Sequence, residues 1–411
     1  MEKIYREAKS CRSCSGTILK EILNLGNQYV ISFPSRPSSE GYSGPIEIVR
    51  CDNCGLVQLK HTFDRNILYK NYWYQSGISK MMVSALRDVV LSAQKIVALQ
   101  PGDVVVDIAS NDNTLLRQYD REDIMRIGID PSDVAGMQKD KNIKVVNDYF
   151  SAENFAMVAG NKKAKIITCC AMFYDLDDPN SFVTDVRKCL DKNGLFVIQM
   201  NYLAETMKNF TYDDFCHEHI EFYSLKALEF VLNKNGCEVF DVITNDVNGG
   251  SIRVYIRHSG SELKVEGGEE RVKRMRKWEE QYDNEVAYAN LRNMLLKNKA
   301  EILNFIREEM GKGKKFMLDG ASTRGYAQVQ WLGITKEMMP YAYDKNPRKY
   351  GLYYGTTGIR IISMQEMLKF KPDYLYVLPY HFLPQLMEEA KELRAKGTKL
   401  FVGIPQFKVV Q

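Results

Sequence analysis

The sequence has no hydrophobic run of membrane-spanning length and no block of like charges. A helix that crosses a bilayer needs about 20 apolar residues in succession, so we expect no membrane contact. Basic and acidic residues are interspersed and leave a net charge of only +4, so we also expect no nucleic acid partner. The opening residues MEKIYREAKS lack the apolar core of a signal peptide, and a cytoplasmic location is therefore expected.

A disulfide framework is also not expected, because the nine cysteines are an odd number and no signal peptide is seen. Four of them instead form two C-x2-C pairs, Cys11 with Cys14 and Cys51 with Cys54. Such pairs supply the four thiolates of a tetrahedral zinc site, which is closed and therefore structural. The small loop-rich module around them would gain much of its folding energy from the metal. Four buried cysteines without metal are the alternative.

The first turn of the central α/β region lacks the glycines of a dinucleotide-binding fingerprint. The stretch GDVVVDIASNDNTLLRQY predicts a buried strand from Val104 to Ile108, a turn, and a helix that opens near Thr114. Ala109 and Asn113 stand where glycines would let the backbone approach a pyrophosphate. S-adenosylmethionine has no phosphate, so the turn favours a methyltransferase over a dehydrogenase. A structural turn that binds no nucleotide is the alternative.

Alternating strand and helix patterns continue after this turn and predict a parallel, doubly wound sheet. Asp107 on the first strand is suited to the positively charged methionyl end of the cofactor. Asp130 ends the second strand about twenty residues after the turn, where an acid binds ribose hydroxyls. The predicted cofactor-binding residues are Asp107, Ala109, Ser110, Asn111, Asp130 and Pro131.

A chain of 411 residues is expected to form two or three domains, and a second α/β unit follows the first. Residues 265–300 predict a charged, solvated helix that bridges two domains. Beyond it, KKFMLDGASTRGYAQVQWLGI predicts a strand, a turn and a helix. The turn from Gly320 to Gly325 has the small residues, hydroxyls and arginine of a phosphate-binding turn at a helix N-terminus. A tight packing turn would look similar.

The stretch CHEHIEFYS places two histidines, a glutamate and a cysteine side by side. Cys216, His217 and His219 are metal-ligand types, but adjacent and alternate positions rarely converge on one ion. A second alternative is a structural role, in which the histidine side chains form hydrogen bonds within a core. Two histidines and a glutamate beside a cofactor domain favour acid–base chemistry.

Seven stretches in order give the chain a resemblance to the three-domain C-methyltransferases of deoxysugar biosynthesis, over nearly its whole length. They are CRSC with RCDNCGLVQL, NYWYQSGIS, VVVDIASNDNTLL, CHEHIEFYS, VNGGSIRVY, GASTRGYAQVQWLGI and DKNPRKYGLYYGTTGIRI. The resemblance implies a zinc-binding module (1–75), a Rossmann-like class I methyltransferase domain (76–205), a catalytic segment with helical bridge (206–305) and a second Rossmann-like α/β domain that binds a sugar nucleotide (306–411).

The resemblance also implies the reaction, which is methylation at carbon 3 of a nucleotide diphosphate-linked keto-deoxysugar through an enolate. S-adenosylmethionine and a structural Zn²⁺ are the implied cofactors, and one chain can close the site, so a monomer is expected. His219 is the implied base, because the pKa of imidazole lies near neutrality. The other implied catalytic residues are His217, Glu218 and Tyr74, whose phenol would hydrogen-bond the enolate oxygen. The implied substrate-binding residues are Asn248, Gly249, Ser251, Ser322, Thr323, Arg324, Lys349 and His381.

Two positions depart from the family pattern, and both bear on the substrate. The family has tyrosine directly before H-E-H, where this chain has Cys216. It also has a histidine after the fourth central strand, where Tyr174 or Asp175 stands here. The alternatives are an O- or N-methyltransferase acting on a related sugar nucleotide, or a sugar-nucleotide-binding protein without catalysis.

Overall fold

The computed structural model describes residues 4–69 and 73–410, so Asn71 and Tyr72 of NYWYQSGIS lie outside the described residues. The N-terminal part consists of strands around the two cysteine turns. Its elements are β1 (Tyr5–Glu7), β2 (Leu19–Tyr29), β3 (Ser43–Cys51), β4 (Val57–Leu59), β5 (His61–Phe63) and α1 (Arg65–Tyr69). Strands β2 and β3 pair antiparallel, and burial alternates along most of β3, as expected for a strand with one face on a core.

The central part contains the parallel sheet that the sequence predicts. Its elements are α2 (Lys80–Ile96), β6 (Val104–Ile108), β7 (Met125–Ile129), α3 (Asp133–Gly136), β8 (Ile143–Val146), α4 (Ala152–Ala159), β9 (Ala164–Cys170), α5 (Pro179–Cys189), β10 (Leu190–Asn201), α6 (Leu203–Asn209), β11 (Glu221–Phe222), α7 (Leu225–Lys234), β12 (Cys237–Asn245) and β13 (Ser251–His258). The strand order is β8-β7-β6-β9-β10-β13-β12, with β13 antiparallel to both neighbours. All of β6 is buried because helices cover both faces of a parallel sheet.

The helix predicted to open near Thr114 is absent from the described residues, and a short 3-10 turn over Leu116–Gln118 takes its place. The positive φ angles of Ala109, Asn111 and Asn113 all lie in the turn before Thr114, and the backbone is extended again at Tyr119. The carboxylate of Asp112 also accepts hydrogen bonds from the backbone and hydroxyl of Thr114. Such side chains compete with the helical hydrogen bonds, and the chain therefore turns instead of coiling.

Two helices join the central part to the C-terminal part, where the charged stretch predicts one. They are α8 (Gly268–Glu279) and α9 (Glu285–Gly311). Along α9, buried residues recur every three or four positions, which is the stripe of an amphipathic helix. The stripe begins with Leu291 and Leu295 against the N-terminal strands and continues with Ile302 and Ile306 in the C-terminal core. Helix α9 is thus packed between two cores and not merely solvated.

The C-terminal part forms a second, mostly parallel sheet. Its elements are β14 (Phe316–Asp319), α10 (Thr323–Leu332), β15 (Tyr341–Tyr343), β16 (Arg360–Ile362), α11 (Met364–Phe370), β17 (Tyr374–Val377), α12 (Leu383–Glu389), α13 (Lys391–Ala395), β18 (Lys399–Val402) and β19 (Lys408–Val410). The order β16-β15-β14-β17-β18-β19 is that of a dinucleotide-binding fold. The two α/β sheets and the N-terminal cysteine cluster confirm the predicted fold class, while the domain limits stay a prediction.

The N-terminal module is joined to the H-E-H segment (residues 217–219) through a shared sheet. Strand β11, which follows this segment, pairs antiparallel with β4, and the backbone N–H of Leu59 donates to the carbonyl of Ile220 at 2.9 Å. The backbone position of the H-E-H segment is therefore fixed by the module that carries the cysteines. Across the two described ranges, none of the helices is both long and apolar enough to span a membrane.

Candidate functional site

One cavity of about 1700 Å³ lies between the two parallel sheets. In each sheet the strand order reverses at one point, between β6 and β9 in the central sheet and between β14 and β17 in the C-terminal sheet. Ligands of open α/β sheets bind at this switch point, outside the carboxyl ends of the strands. The turns after all four of these strands line the cavity, and so do Glu218 and His219.

The turn after β6 is held by the acid that ends β7. The backbone N–H of Asn111 donates to Oδ2 of Asp130 at 2.8 Å, and the N–H of Ser132 donates to Oδ1 at 2.7 Å. The hydroxyl of Ser110 is buried and has no hydrogen-bond partner among the described residues. All six predicted cofactor-binding residues line the cavity, although the side chain of Asn111 is used to hold a neighbouring segment.

That segment carries Tyr74. The Nδ2 of Asn111 donates to the carbonyl of Tyr74 at 3.0 Å, and its Oδ1 accepts from the N–H of Ser76 at 3.0 Å. Tyr74 lines the cavity and keeps 45% of its surface accessible. Although this surface is accessible, desolvation by the protein atoms around the cavity raises the pKa of its phenol to about 12. The phenol of Tyr74 is therefore a proton donor at neutral pH.

Asp107 is a buried acid near the centre of the switch point. Burial raises the pKa of its carboxyl to about 7, although the hydroxyl of Thr168 donates to it at 2.6 Å. A cation placed beside this group would restore its charge, because an opposite charge favours the ionised form. The methionyl end of S-adenosylmethionine carries such positive charge, so Asp107 fits this cofactor.

Of the two histidines in the H-E-H segment, His219 is the one that lines the cavity. Its Nδ1 lies 3.0 Å from the carbonyl oxygen of Asp214 and 3.1 Å from the Oδ1 of the same residue. The ring of Tyr174 lies 4.4 Å from the imidazole ring of His219, measured between centroids. When Nδ1 donates to Asp214, Nε2 carries a lone pair.

Glu218 links the H-E-H segment to the C-terminal part. The hydroxyl of Thr323, at the start of α10, donates to Oε1 of Glu218 at 3.1 Å. The phenol of Tyr69 donates to the carbonyl of Glu218 at 2.7 Å. His217, by contrast, points away from the cavity: its Nε2 lies 3.1 Å from the carbonyl of Gly44, and burial lowers its pKa to about 4.

The predicted diphosphate-binding residues reach the cavity, and two of them are engaged elsewhere as well. The guanidinium of Arg324 donates to both oxygens of Asp213, at 3.0 and 3.1 Å, and to the carbonyl of Asn248. The ammonium of Lys349 donates to the carbonyl of Ala321 at 2.7 Å. The predicted residues of this group that line the cavity are Asn248, Ser322, Thr323, Arg324, Lys349 and His381.

Gly249 and Ser251 do not line the cavity. The hydroxyl of Ser251 donates to the carbonyl of Val247 at 2.7 Å. Gly249 has a φ of +87°, and an added Cβ would lie 2.3 Å from the hydroxyl of Tyr380. These two residues let the loop before β13 pack against the C-terminal part, which places Asn248 at the cavity.

Several residues that the sequence did not single out also belong to the site. Arg348 lies over the ring of Trp73, with 5.2 Å from its Cζ to the ring centroid, and Lys349 lies over Phe33 at 4.8 Å. Asp214 contacts His219. Asp214 ends a short 3-10 turn, and such a turn has no hydrophobic periodicity that would reveal it in the sequence.

The four cysteines of the N-terminal module form one cluster in which all sulfur atoms lie within 4.8 Å of one another. The Sγ atoms of Cys11 and Cys54 are 3.5 Å apart, as are those of Cys14 and Cys51. Sulfurs at the corners of a tetrahedron around zinc, with bonds of about 2.3 Å, are about 3.8 Å apart. The cluster therefore has the size and donor set of a structural zinc site.

Three family models match the chain in sequence. A zinc-binding-domain model matches residues 11–69, a methyltransferase-domain model matches residues 82–242, and a C-methyltransferase C-terminal-domain model matches residues 246–405. These matches, the two switch points and the sulfur cluster define a methyltransferase that uses S-adenosylmethionine and contains a structural zinc site.

The chain is a methyltransferase in which the regions matched are, in order, a zinc-binding domain, a methyltransferase domain and a C-methyltransferase C-terminal domain. It is 25% identical to the C-methyltransferase NovU of Streptomyces niveus, over 100% of this chain and 99% of that protein.

Two solved structures each match less than half of the chain. One is a chain from the Haloferax volcanii complex of the Trm112 methyltransferase activator with a methyltransferase. Its TM-score is 0.35 and its sequence identity is 13%, and the match spans 44% of the present chain and 96% of the solved chain. An S-adenosylmethionine-dependent methyltransferase from Clostridium acetobutylicum has a TM-score of 0.32 and 15% identity, and covers 43% and 92%. Because both TM-scores are low, the identification rests on the family models and on NovU.

A methyl group added at Gly128 is expected to disturb the cofactor turn. In strand β7, a Cβ at this position would lie 2.6 Å from both the Oδ1 of Asn113 and the Oγ of Ser110. Gly128→Ala should therefore displace the turn, weaken S-adenosylmethionine binding by about tenfold or more and cost about 1–3 kcal/mol of stability. Calorimetric titration measures the affinity. Gly311→Ala, where an added Cβ meets nothing within 4 Å, is the control, and equal affinities in both variants would contradict the prediction.

Proposed function

We propose that the protein methylates the carbon next to the ketone of a nucleotide diphosphate-linked keto-deoxysugar, with His219 as the base. The observation that supports this most is the single cavity that joins both switch points to the H-E-H segment. Pockets for one ligand typically measure about 300–1,000 Å³, so about 1700 Å³ leaves room for a cofactor and a nucleotide together. Each sheet would then hold one of the two ligands.

The central switch point suits the cofactor, which supplies an electrophilic methyl group when bound. Asp107 would face the positively charged methionyl end, because its buried carboxyl gains charge beside a cation. Oδ2 of Asp130 accepts one hydrogen bond from the chain and keeps capacity for a ribose hydroxyl. The unpartnered hydroxyl of Ser110 is a further group that the cofactor can satisfy.

The H-E-H segment suits removal of a proton from carbon. A ketone acidifies the C–H bond next to it, and Nε2 of His219 would accept this proton while Nδ1 stays bonded to Asp214. The electron pair left behind forms an enolate, whose carbon makes the new carbon–carbon bond. The phenol of Tyr74 would donate to the enolate oxygen, because its pKa of about 12 keeps it protonated.

The C-terminal switch point suits the nucleotide diphosphate. Thr323 begins the ten-residue helix α10, whose N-terminal N–H groups favour anions. Lys349 and Arg348 add positive charge beside the rings of Phe33 and Trp73, which suit a diphosphate next to a stacked base. Arg324 would position this region through Asp213 more than it binds phosphate.

Mass spectrometry of the products tests the proposal directly. The wild-type protein would be incubated with S-adenosylmethionine and a panel of nucleotide-linked 4-keto-6-deoxysugars. We expect one sugar to gain a methyl group that acid hydrolysis does not release, because it is bound to carbon. A methyl group on oxygen or nitrogen would contradict carbon methylation of this sugar. A protein that binds the cofactor, as seen in a thermal shift, but methylates none of the sugars would contradict the substrate class.

The pH dependence of the reaction is expected to depend on Asp214. Burial alone would lower the pKa of His219, but the electrostatic influence of Cys216 and Asp214 outweighs it and raises this pKa well above its ordinary value. Only the deprotonated ring is a base, so kcat/KM should rise with pH on the alkaline side of the ordinary histidine pKa. Asp214→Asn removes a negative charge, which should shift this rise to lower pH and reduce the plateau by roughly tenfold, since the base is weaker.

The pH profile of kcat/KM for both proteins measures this shift. The acid Asp120, which is exposed and does not line the cavity, gives the control variant Asp120→Asn. An Asp214→Asn profile that coincides with the wild-type profile would mean that Asp214 does not set the basicity of His219.

A further inference from the structure

A buried carboxyl group that has no role in the reaction described above lies beside His219. Asp175 ends the 3-10 turn Phe173–Asp175 after β9, and it lines the cavity together with Glu218 and His219. Its Oδ1 is buried and has no hydrogen-bond partner within the described part of the chain. A buried polar atom without a partner is costly, so this atom points to a partner that arrives with the substrate.

Three carboxyl groups near Asp175 are engaged with other protein groups. Glu218 accepts from the hydroxyl of Thr323, and Asp214 accepts from Asn201 and contacts His219. Asp213 accepts two hydrogen bonds from Arg324. Asp175 therefore does not belong to the network that holds these elements together. Its unpartnered oxygen is a feature of the cavity wall.

The turn that carries Asp175 is fixed relative to His219. The backbone N–H of Ile220, one residue after His219, donates to the carbonyl of Tyr174 at 3.0 Å. The ring of Tyr174 lies 4.4 Å from the ring of His219. The N–H of Asp175 donates back to the carbonyl of Met172 at 2.8 Å, which closes the turn. The carboxyl group and the imidazole thus flank the same end of the cavity.

The surroundings of Asp175 favour its neutral form. Burial raises the pKa of its carboxyl well above the ordinary value, and the nearby acids Glu218 and Asp214 raise it further. Of the charged groups that face it, only His219 acts in the opposite direction. A neutral carboxyl group differs from a carboxylate in one respect that matters here: it has an O–H that can donate a hydrogen bond.

We propose that Asp175 is a catalytic residue whose protonated carboxyl donates a hydrogen bond to the ketone oxygen of the substrate while His219 removes the neighbouring proton. This rests on the proposed function. The C–H bond breaks and its proton moves to Nε2 of His219. The C–H electron pair forms a carbon–carbon double bond, and the carbonyl π pair moves to the oxygen that Asp175 holds. When the enolate carbon bonds to the methyl group of a bound cofactor, the methyl–sulfur bond would break and leave its electron pair on sulfur, the enolate oxygen returns its pair to the carbonyl, and the proton stays on Asp175.

Two substitutions of similar size test whether Asp175 acts as a hydrogen-bond donor. Asp175→Asn keeps a hydrogen-bond donor without an ionisable group, whereas Asp175→Leu keeps neither. Loss of one donor to a developing oxyanion typically lowers kcat by about 100-fold or more. We expect this loss for Asp175→Leu, with KM changed only a few-fold, and recovery to within about tenfold of wild type for Asp175→Asn. The readouts are kcat and the rate at which the carbon next to the ketone takes up deuterium from solvent.

Cofactor-induced thermal shifts of both variants show that they fold and bind S-adenosylmethionine. If Asp175→Leu exchanges deuterium at the wild-type rate, the inference fails and the proposed function stands. If Asp175→Asn is as slow as Asp175→Leu while both bind the cofactor, the donor role is wrong. If wild type neither exchanges nor methylates any keto-sugar, the proposed function fails and the inference with it.

Discussion

His219→Asn is expected to abolish deuterium exchange at the carbon next to the ketone, and methyl transfer with it. Asparagine can keep a hydrogen bond to Asp214, but it has no basic nitrogen at the position of Nε2. A positioned base typically contributes about 100-fold to 10,000-fold in rate, so kcat should fall by about 1000-fold. The affinity for S-adenosylmethionine should change little, because the predicted cofactor residues lie on the turns after β6 and β7.

Nuclear magnetic resonance of the keto-sugar in deuterated water measures the exchange, and product mass spectra measure the transfer. His258→Asn is a matched control, because His258 ends strand β13 and does not line the cavity, and its Nε2 lies 3.3 Å from the carbonyl of Leu190. Both rates should stay near wild type in this control. Exchange that persists in His219→Asn would assign the base to another residue.

Removal of zinc is expected to unfold the N-terminal module and to inactivate the enzyme at the same time. The module has short strands and a small core, and structural zinc binding contributes about 10–16 kcal/mol in zinc-finger peptides at neutral pH. Strand β4 of this module pairs with β11 directly after the H-E-H segment. Activity should therefore be lost together with zinc, although the cysteine cluster does not line the cavity.

Cys51→Ser tests this expectation without a chelator. We expect loss of bound zinc, a Tm lower by about 10 °C or more, and no measurable methylation. Cys189→Ser replaces a buried free cysteine of the central core and should keep both zinc and activity. A zinc-free Cys51→Ser protein with wild-type kcat would show that the module does not position the H-E-H segment.

The parts of this molecule that sequence predicts well are those whose signal is local. The C-x2-C spacing predicts the sulfur cluster because each pair sits on one tight turn, where the N–H of Ser15 or Gly55 donates to the carbonyl of the first cysteine. The buried strand from Val104 to Ile108 is read correctly because a run of β-branched residues suits a covered parallel strand. The prediction of a helix near Thr114 is wrong, since only the short 3-10 turn Leu116–Gln118 forms and the backbone is extended again at Tyr119.

The parts that sequence does not reveal depend on contacts between distant segments. Asp213 faces Arg324 across more than a hundred residues, and this pairing changes Arg324 from a free phosphate ligand to a held one. Asp214 lies five residues before His219, but only the 3-10 turn brings its carboxylate to Nδ1. Whether an acid such as Asp175 keeps or lacks a partner depends on all of its neighbours, and no local pattern encodes that.

The pairing of β4 with β11 also limits how this enzyme can be recombined with its relatives. A chimera that joins a foreign zinc-binding module to these methyltransferase and C-terminal domains would place a new edge strand against Glu221–Phe222. It would also replace Gly44, whose carbonyl contacts His217. Breakpoints between the modules would then disturb the reaction centre even when each module folds. Residues 43–63 and 212–224 should be exchanged as one unit, although about 150 residues separate them in the chain.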